Sequence, residues 1–195
     1  MRIALFEPEI AGNVGAVMRL CACLGAAVDL IEPLGFAWDD RRVRRAAMDY
    51  IDHVSVTRHA GFEAFRATLG QSRLVLFSTK TDQNAYTFAY QADDVLLFGS
   101  ETRGLPQSLL DEFRATTVQL PMRPEVRSLN LASTVNTAVY EAVRQFKAAG
   151  GAGKWLHYLL GYELGDFDQH TKPIMTRAKE DLIELGWKPP ARFGH

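Results

Sequence analysis

Hydrophobic positions along this chain fall into two alternating patterns. Short apolar runs at residues 2–6 (RIALF), 27–31 (AVDLI), 73–78 (RLVLFS), 94–98 (DVLLF) and 117–120 (TVQL) have the length and composition of buried strands, and residues 54–57 offer another. Between them the period changes. Residues 13–25 place apolar side chains at 14, 17, 20, 21 and 24, which is one face of a helix that stops at Gly25. Helical patterns recur at 40–48, where the segment is short and basic, at 63–69, at 106–113 and at 128–149. Strands this apolar are covered on both faces. The alternation therefore predicts an α/β fold, a mainly parallel sheet flanked by helices.

The glycine-rich break AGGAG at 149–153 divides the chain into a domain at 1–149 and a short helical C-terminal extension at 150–195. In the extension Thr171 can cap a helix, Pro173 suits its first turn, and Ile174, Ala178 and Leu182 follow at helical spacing. Trp155, Leu156, Tyr158, Leu159 and Leu160 form a dense apolar cluster that wants burial, on the domain or on a second copy.

Ligands of open α/β sheets sit beyond the carboxyl ends of strands. Four polar loops occupy such places: EPEIAGNVGAVMR (7–19), TKTD (79–82), GSETRGLP (99–106) and PMRPEVRSLN (121–130). In the third, Gly99 lacks the Cβ that would keep a ligand from the backbone, and Glu101 offers two acceptors for a ribose diol or an amine. A blander account has Glu101 paired with Arg103 while the glycines merely turn. The Walker spacing is absent, so this is no phosphate loop. Asn13 sits near a helix start, where capping alone would explain it. Arg19 lies in an apolar helix with no carboxylate three or four places away, either at a site or simply solvated. In RSLNLASTVNT (127–137) Ser128 can cap the helix, but Asn130, Ser133, Thr134 and Asn136 exceed any capping need and require partners.

Charge and cysteine content narrow the classes. A net charge of −1 over 195 residues excludes a polybasic nucleic-acid binder, so any RNA contact must come from a local patch. Arg41, Arg42, Arg44 and Arg45 form one candidate beside Asp39 and Asp40, unless that face is solvated and self-paired; Lys80, Arg123 and Arg127 lie nearer the polar loops. Cys21 and Cys23 lack a second pair for a closed zinc site, and the five histidines show no ligand spacing, so no metal is expected. No apolar run approaches the ~18 residues of a membrane span. No secretory leader is visible, and a cytoplasmic protein without membrane attachment is expected.

Taken together, N-x-G-x-x-x-R at 13–19, LLFGSETRGLP at 96–106 and PMRPEVRSLNLASTVNTAVYEA at 121–142 resemble the three motifs of the SPOUT methyltransferases. EPEIAGNVGAVMRLCACLGA with IEPLGFAWDDRRVRRAAMDY (31–50) is more closely similar to the small tRNA wobble-position 2′-O-methyltransferases of that superfamily, and the likeness runs through residues 1–149. It departs from the pattern at Ala16 and Ser100, where relatives often carry Asn and Pro. The resemblance implies a C-terminal-region deep trefoil knot in the domain and a homodimer through the knot region. It implies S-adenosyl-L-methionine as cofactor, S-adenosyl-L-homocysteine as product, and the anticodon stem-loop of leucine tRNAs as substrate, methylated at cytidine or modified uridine 34. Phe77, Gly99, Leu120 and Ser128 match cofactor contacts, with Leu129 beside them and Glu101 and Asn130 in support; Arg19 and Asn13 match the catalytic motif. Alternatives are another RNA such as rRNA, or a non-catalytic RNA-binding protein on the same fold. An ordinary dinucleotide-binding protein ranks last, for want of G-x-G-x-x-G after the first strand.

If the apolar cluster of the extension docks, removing residues 151–195 is expected to lower the melting temperature. An unchanged melt with normal activity would dispose of docking.

Overall fold

The computed structural model describes residues 1–38 and 54–148. The basic segment with Arg41, Arg42, Arg44 and Arg45, the break at 149–153 and the extension to 195 lie outside the described residues.

The described elements run β1 (Arg2–Phe6), α1 (Ala11–Leu24), β2 (Ala27–Ile31), β3 (Val56–His59), α2 (Phe62–Arg66), β4 (Leu74–Phe77), β5 (Val95–Phe98), α3 (Gln107–Glu112), a single 3₁₀ turn (Arg114–Thr116), β6 (Thr117–Val118) and α4 (Leu131–Ala148). The six strands form one sheet in the order β3-β2-β1-β5-β4-β6. Every ladder is parallel. The expected mainly parallel α/β sheet with flanking helices is therefore present; the trefoil knot itself is not visible in this strand order.

Alternation along each strand explains why the runs are apolar throughout. Ile3, Leu5, Val28, Leu30, Val75, Phe77, Leu96 and Phe98 face one side, under α1 and α4. Ala4, Phe6, Ile31, Leu74, Leu76, Val95 and Leu97 face the other, against Phe65 of α2 and Leu109 and Leu110 of α3. α1 buries Val14, Val17, Met18, Cys21 and Leu24 and ends at Gly25, whose φ of 62° is the left-handed closure that glycine permits. Leu20, expected on that buried face, is only partly covered.

Three boundaries differ from the sequence pattern for identifiable reasons. α4 begins at Leu131 rather than Ser128, because Asn130 is its cap: its side-chain oxygen accepts from the Ser133 amide at 3.2 Å. α1 begins at Ala11, so Asn13 lies inside the first turn and is not its cap. β5 begins at Val95, because the buried Asp94 is drawn into an ion pair with the partly exposed Arg73.

That pair joins the entrances of β4 and β5. Asp94 is fully buried and accepts from Arg73 Nε and Nη2, both at 2.8 Å, and from the Gln91 amide at 2.8 Å. The Arg73 guanidinium also stacks over Phe88 at 4.8 Å. No described helix is long and apolar enough to cross a membrane.

Asp94→Ala removes the acceptor shared by Arg73 and the Gln91 amide and is expected to cost about 1–3 kcal/mol of stability. Urea unfolding measures this; a loss under about 1 kcal/mol would mean the pair behaves as a solvated surface contact.

Candidate functional site

The site is built where the carboxyl ends of β1, β4, β5 and β6 meet. Past β5 the chain turns back on itself so tightly that residue 99 can carry no side chain: a Cβ there would come within 2.2 Å of the Gly104 carbonyl carbon and 2.4 Å of the Leu105 nitrogen. The Gly104 amide closes the loop on the Ser100 carbonyl at 2.9 Å, and Gly104 has φ +68°. Gly99 thus answers first to the loop's own backbone, a stricter demand than room for a ligand.

This fold-back aims Glu101 away from Arg103 and toward the turn after β1. Its carboxylate accepts from the Glu9 amide at 2.7 Å, the Ile10 amide at 3.2 Å and the Asn13 side-chain nitrogen at 2.8 Å. It lies at the positive end of α1, whose capping residue Ile10 has no side-chain oxygen to offer. Arg103 instead pairs with Glu7 at 3.0 Å and Glu9 at 3.7 Å. Glu7 is a non-glycine residue in the left-handed region, with φ 46°, at the point where the chain leaves β1. Such a conformation persists only where neighbours hold it.

Asn13 is buried, and both ends of its amide are engaged. Its nitrogen donates to Glu101 and its oxygen accepts from Asn130 at 2.9 Å. Asn130 in turn caps α4 with its own oxygen. Three loops, after β1, after β5 and before α4, are therefore tied by one line of side-chain amides and a carboxylate.

Beside this network lies a cavity of about 600 Å³, within the range that encloses a small organic ligand. Its walls come from 77–80, 98–105 and 120–134. Phe77 and Phe98 stack there with ring centroids 4.6 Å apart and planes 16° apart. Leu120 and Leu131 are buried beside them, whereas Leu129 remains 47% exposed. Of the residues expected to hold the cofactor, Phe77, Gly99, Glu101, Leu120, Ser128 and Leu129 line the cavity. Asn130 is absent from the lining and braces it through Asn13. Lys80 and Arg127 are exposed on the lining; Arg123 is exposed but outside it. Arg19 is exposed on α1 and also outside the lining. Among the described residues no cluster of three or more His, Cys, Asp or Glu could hold a metal ion.

Sequence reasoning passed over Glu7, Glu9, Thr102 and Met122. One signal was available for the first two: carboxylates at alternate positions directly after a strand, with no basic residue close in sequence.

Residues 1–140 match the model of the family described as SpoU rRNA Methylase. A tRNA (cytidine(34)-2'-O)-methyltransferase of Escherichia coli K12 is 46% identical over 151 residues, covering 77% of this chain and 96% of the relative. An enzyme of the same description from Beijerinckia indica is 45% identical, covering 75% and 92%. Among solved structures, one described as giving insight into 2-OH methylation of C/U34 on tRNA superimposes with TM-score 0.72 and 41% identity, covering 75% of this chain and 96% of that one. An AdoMet-bound rRNA methyltransferase from Sinorhizobium meliloti superimposes with TM-score 0.65 and 26% identity, covering 73% and 55%.

Glu101→Gln turns one of two accepting oxygens into an amide NH2 facing a donor. It is expected to cost about 1–3 kcal/mol, read by chemical denaturation. A loss within error would mean that the three donors find other partners.

Proposed function

The chain belongs to the SpoU rRNA methylase family, and on that premise we propose that its cavity binds S-adenosyl-L-methionine and that the protein methylates the ribose 2′-hydroxyl of wobble nucleotide 34 in tRNA. The observation that carries this is the near full-length match to the tRNA-acting relatives, 96% of one of them at 46% identity. It also favours tRNA over rRNA, since the rRNA methyltransferase from Sinorhizobium meliloti is covered over only 55% of its length. Leucine tRNAs, the anticodon stem-loop as the element bound, a homodimer through the knot region, and work in the cytoplasm complete the proposal.

The cavity suits the cofactor chemically. Apolar Phe77, Leu120 and Leu129 offer faces for an adenine, while Gly99 and Ser128 expose backbone and hydroxyl groups to its polar edges. When bound, S-adenosyl-L-methionine supplies a methyl group already activated by sulfonium charge, and S-adenosyl-L-homocysteine remains. The protein's task is the weak nucleophile, a ribose hydroxyl that must lose its proton as it reacts.

Arg19 is the residue proposed for that task. It stays protonated and cannot act as a base. Its guanidinium can stabilise negative charge growing on the 2′ oxygen, or hold a neighbouring RNA phosphate that takes the proton. It sits six residues beyond Asn13, about 9 Å further along α1. Asn13 acts as a positioning residue through Glu101 and Asn130. Lys80, Arg123 and Arg127 are exposed cations near the cavity suited to phosphates, with Arg41, Arg42, Arg44 and Arg45 proposed to extend the patch.

Nucleoside mass spectrometry on unmodified leucine tRNA, incubated with protein and S-adenosyl-L-methionine, is expected to show a new 2′-O-methylated nucleotide mapping to position 34. Arg19→Ala is expected to keep cofactor binding and lose about a hundredfold or more in turnover, the size seen when one charge-stabilising donor is removed. Methylation only of other RNAs would overturn the tRNA assignment. Wild-type turnover by Arg19→Ala would overturn the role of Arg19.

A further inference from the structure

We propose that Glu9, outside the cavity, is a positioning residue for the cofactor: its carboxylate clasps Thr102 and so fixes the wall formed by residues 99–104. This rests on the cofactor reading of the cavity given above.

The geometry is reciprocal. Glu9 Oε1 accepts from the Thr102 hydroxyl at 2.6 Å, and Oε2 accepts from the Thr102 amide at 3.0 Å. In return the Glu9 amide donates to the Glu101 carboxylate at 2.7 Å. Each loop thus presents a carboxylate to the other's backbone. Bonds to an ionised acceptor are the stronger kind, and two of them on one residue fix orientation as well as distance. Thr102 and Glu101 both line the cavity, whereas Glu9 does not. Any influence of Glu9 on the ligand must therefore pass through the loop.

Glu9 is also braced from behind. A Cβ on Gly35 would lie 2.7 Å from the Glu9 Cα and 3.0 Å from its Cβ, so the 32–36 loop packs directly on this residue. The Gly35 amide donates to the Pro8 carbonyl at 2.9 Å. Arg103, 68% exposed, adds a looser contact to Glu9 at 3.7 Å while favouring Glu7. The clasp thus has a fixed side, held by the β1 turn and Gly35. Its other side is a loop whose own closure is the single Ser100–Gly104 bridge. Freed from the Glu9 carboxylate, the loop would keep its fold-back and the bonds of Glu101, but its tip at Thr102 would lose the two bonds that fix it against the β1 turn.

The test uses the full chain and S-adenosyl-L-homocysteine, titrated by calorimetry, with initial rates on tRNA. Glu9→Ala is expected to weaken S-adenosyl-L-homocysteine about tenfold, the scale of a lost charge-assisted pair. KM for S-adenosyl-L-methionine should rise in parallel while KM for tRNA stays put, a split that general destabilisation would not produce. Thr102→Val removes the hydroxyl from the other side and should weaken binding about threefold to tenfold, with Thr102→Ser retaining wild-type affinity. Glu9→Ala combined with Thr102→Val should lose less than the product of the two. Should Glu9→Ala fail to fold, the Thr102 pair decides alone. Wild-type affinity in Glu9→Ala or in Thr102→Val, or equal rises in both KM values, would overturn the role while leaving the cofactor reading intact. No binding by the wild-type chain would overturn both.

Discussion

Glu101 concentrates the molecule's architecture in one carboxylate. It collects three donors, from Glu9, Ile10 and Asn13, across the seam between β1 and β5. Those strands are neighbours at the centre of the sheet, and the chain visits them 92 residues apart in that first bond. An acceptor-only group must face donors alone, so the turn after β1 and the loop after β5 can meet in very few ways. Asn13 carries the same restriction onward to Asn130, and Asn130 fixes where α4 begins. The position of α4, the last of the described helices, is thus linked to that of the first turn through side chains, beyond the packing of α1 and α4 on one face.

The cavity exists because of what this network withholds from it. Glu101, Asn13 and Asn130 are satisfied by one another, while Phe77, Leu120 and Leu131 supply an apolar part of the wall beside the polar Ser78, Ser100 and Ser128. Backbone at 99–104 comes close because Gly99 has no side chain to hold the strands of the loop apart. Cations stay at the exposed margin, at Lys80 and Arg127, where a polyanion could reach them without their charges being desolvated. A pocket with an apolar patch, hydroxyl and backbone groups beside it, and cations at its edge suits a nucleoside cofactor beside an RNA.

Much of the fold was legible because buried strands and amphipathic helices have periods that residues alone reveal. RIALF and AVDLI have the observed strand bounds, and the helix after β1 was displaced by only two residues at its start and one at its end. Boundaries were missed where a long-range partner decides them. Ser128 was as good a capping residue as Asn130, and only the placement of Asn13 against α4 selects the latter. Asp94 reads as the start of a strand until Arg73 arrives from its neighbour. Glu101 and Arg103 look like a local pair, yet the fold-back of their loop sends one to the α1 turn and the other to Glu7.

The sequence by itself determined the class of fold and the identity of the loops that carry chemistry, since hydrophobic period, glycine placement and motif spacing are properties of neighbours in the chain. Tertiary structure alone decided how those loops meet. The clasp of Glu9 on Thr102, the line from Glu101 through Asn13 to Asn130, and the absence of Arg19 from the cavity wall all depend on strand order. Parallel strands adjacent in space are distant in sequence, so contacts between their outgoing loops leave no local signature.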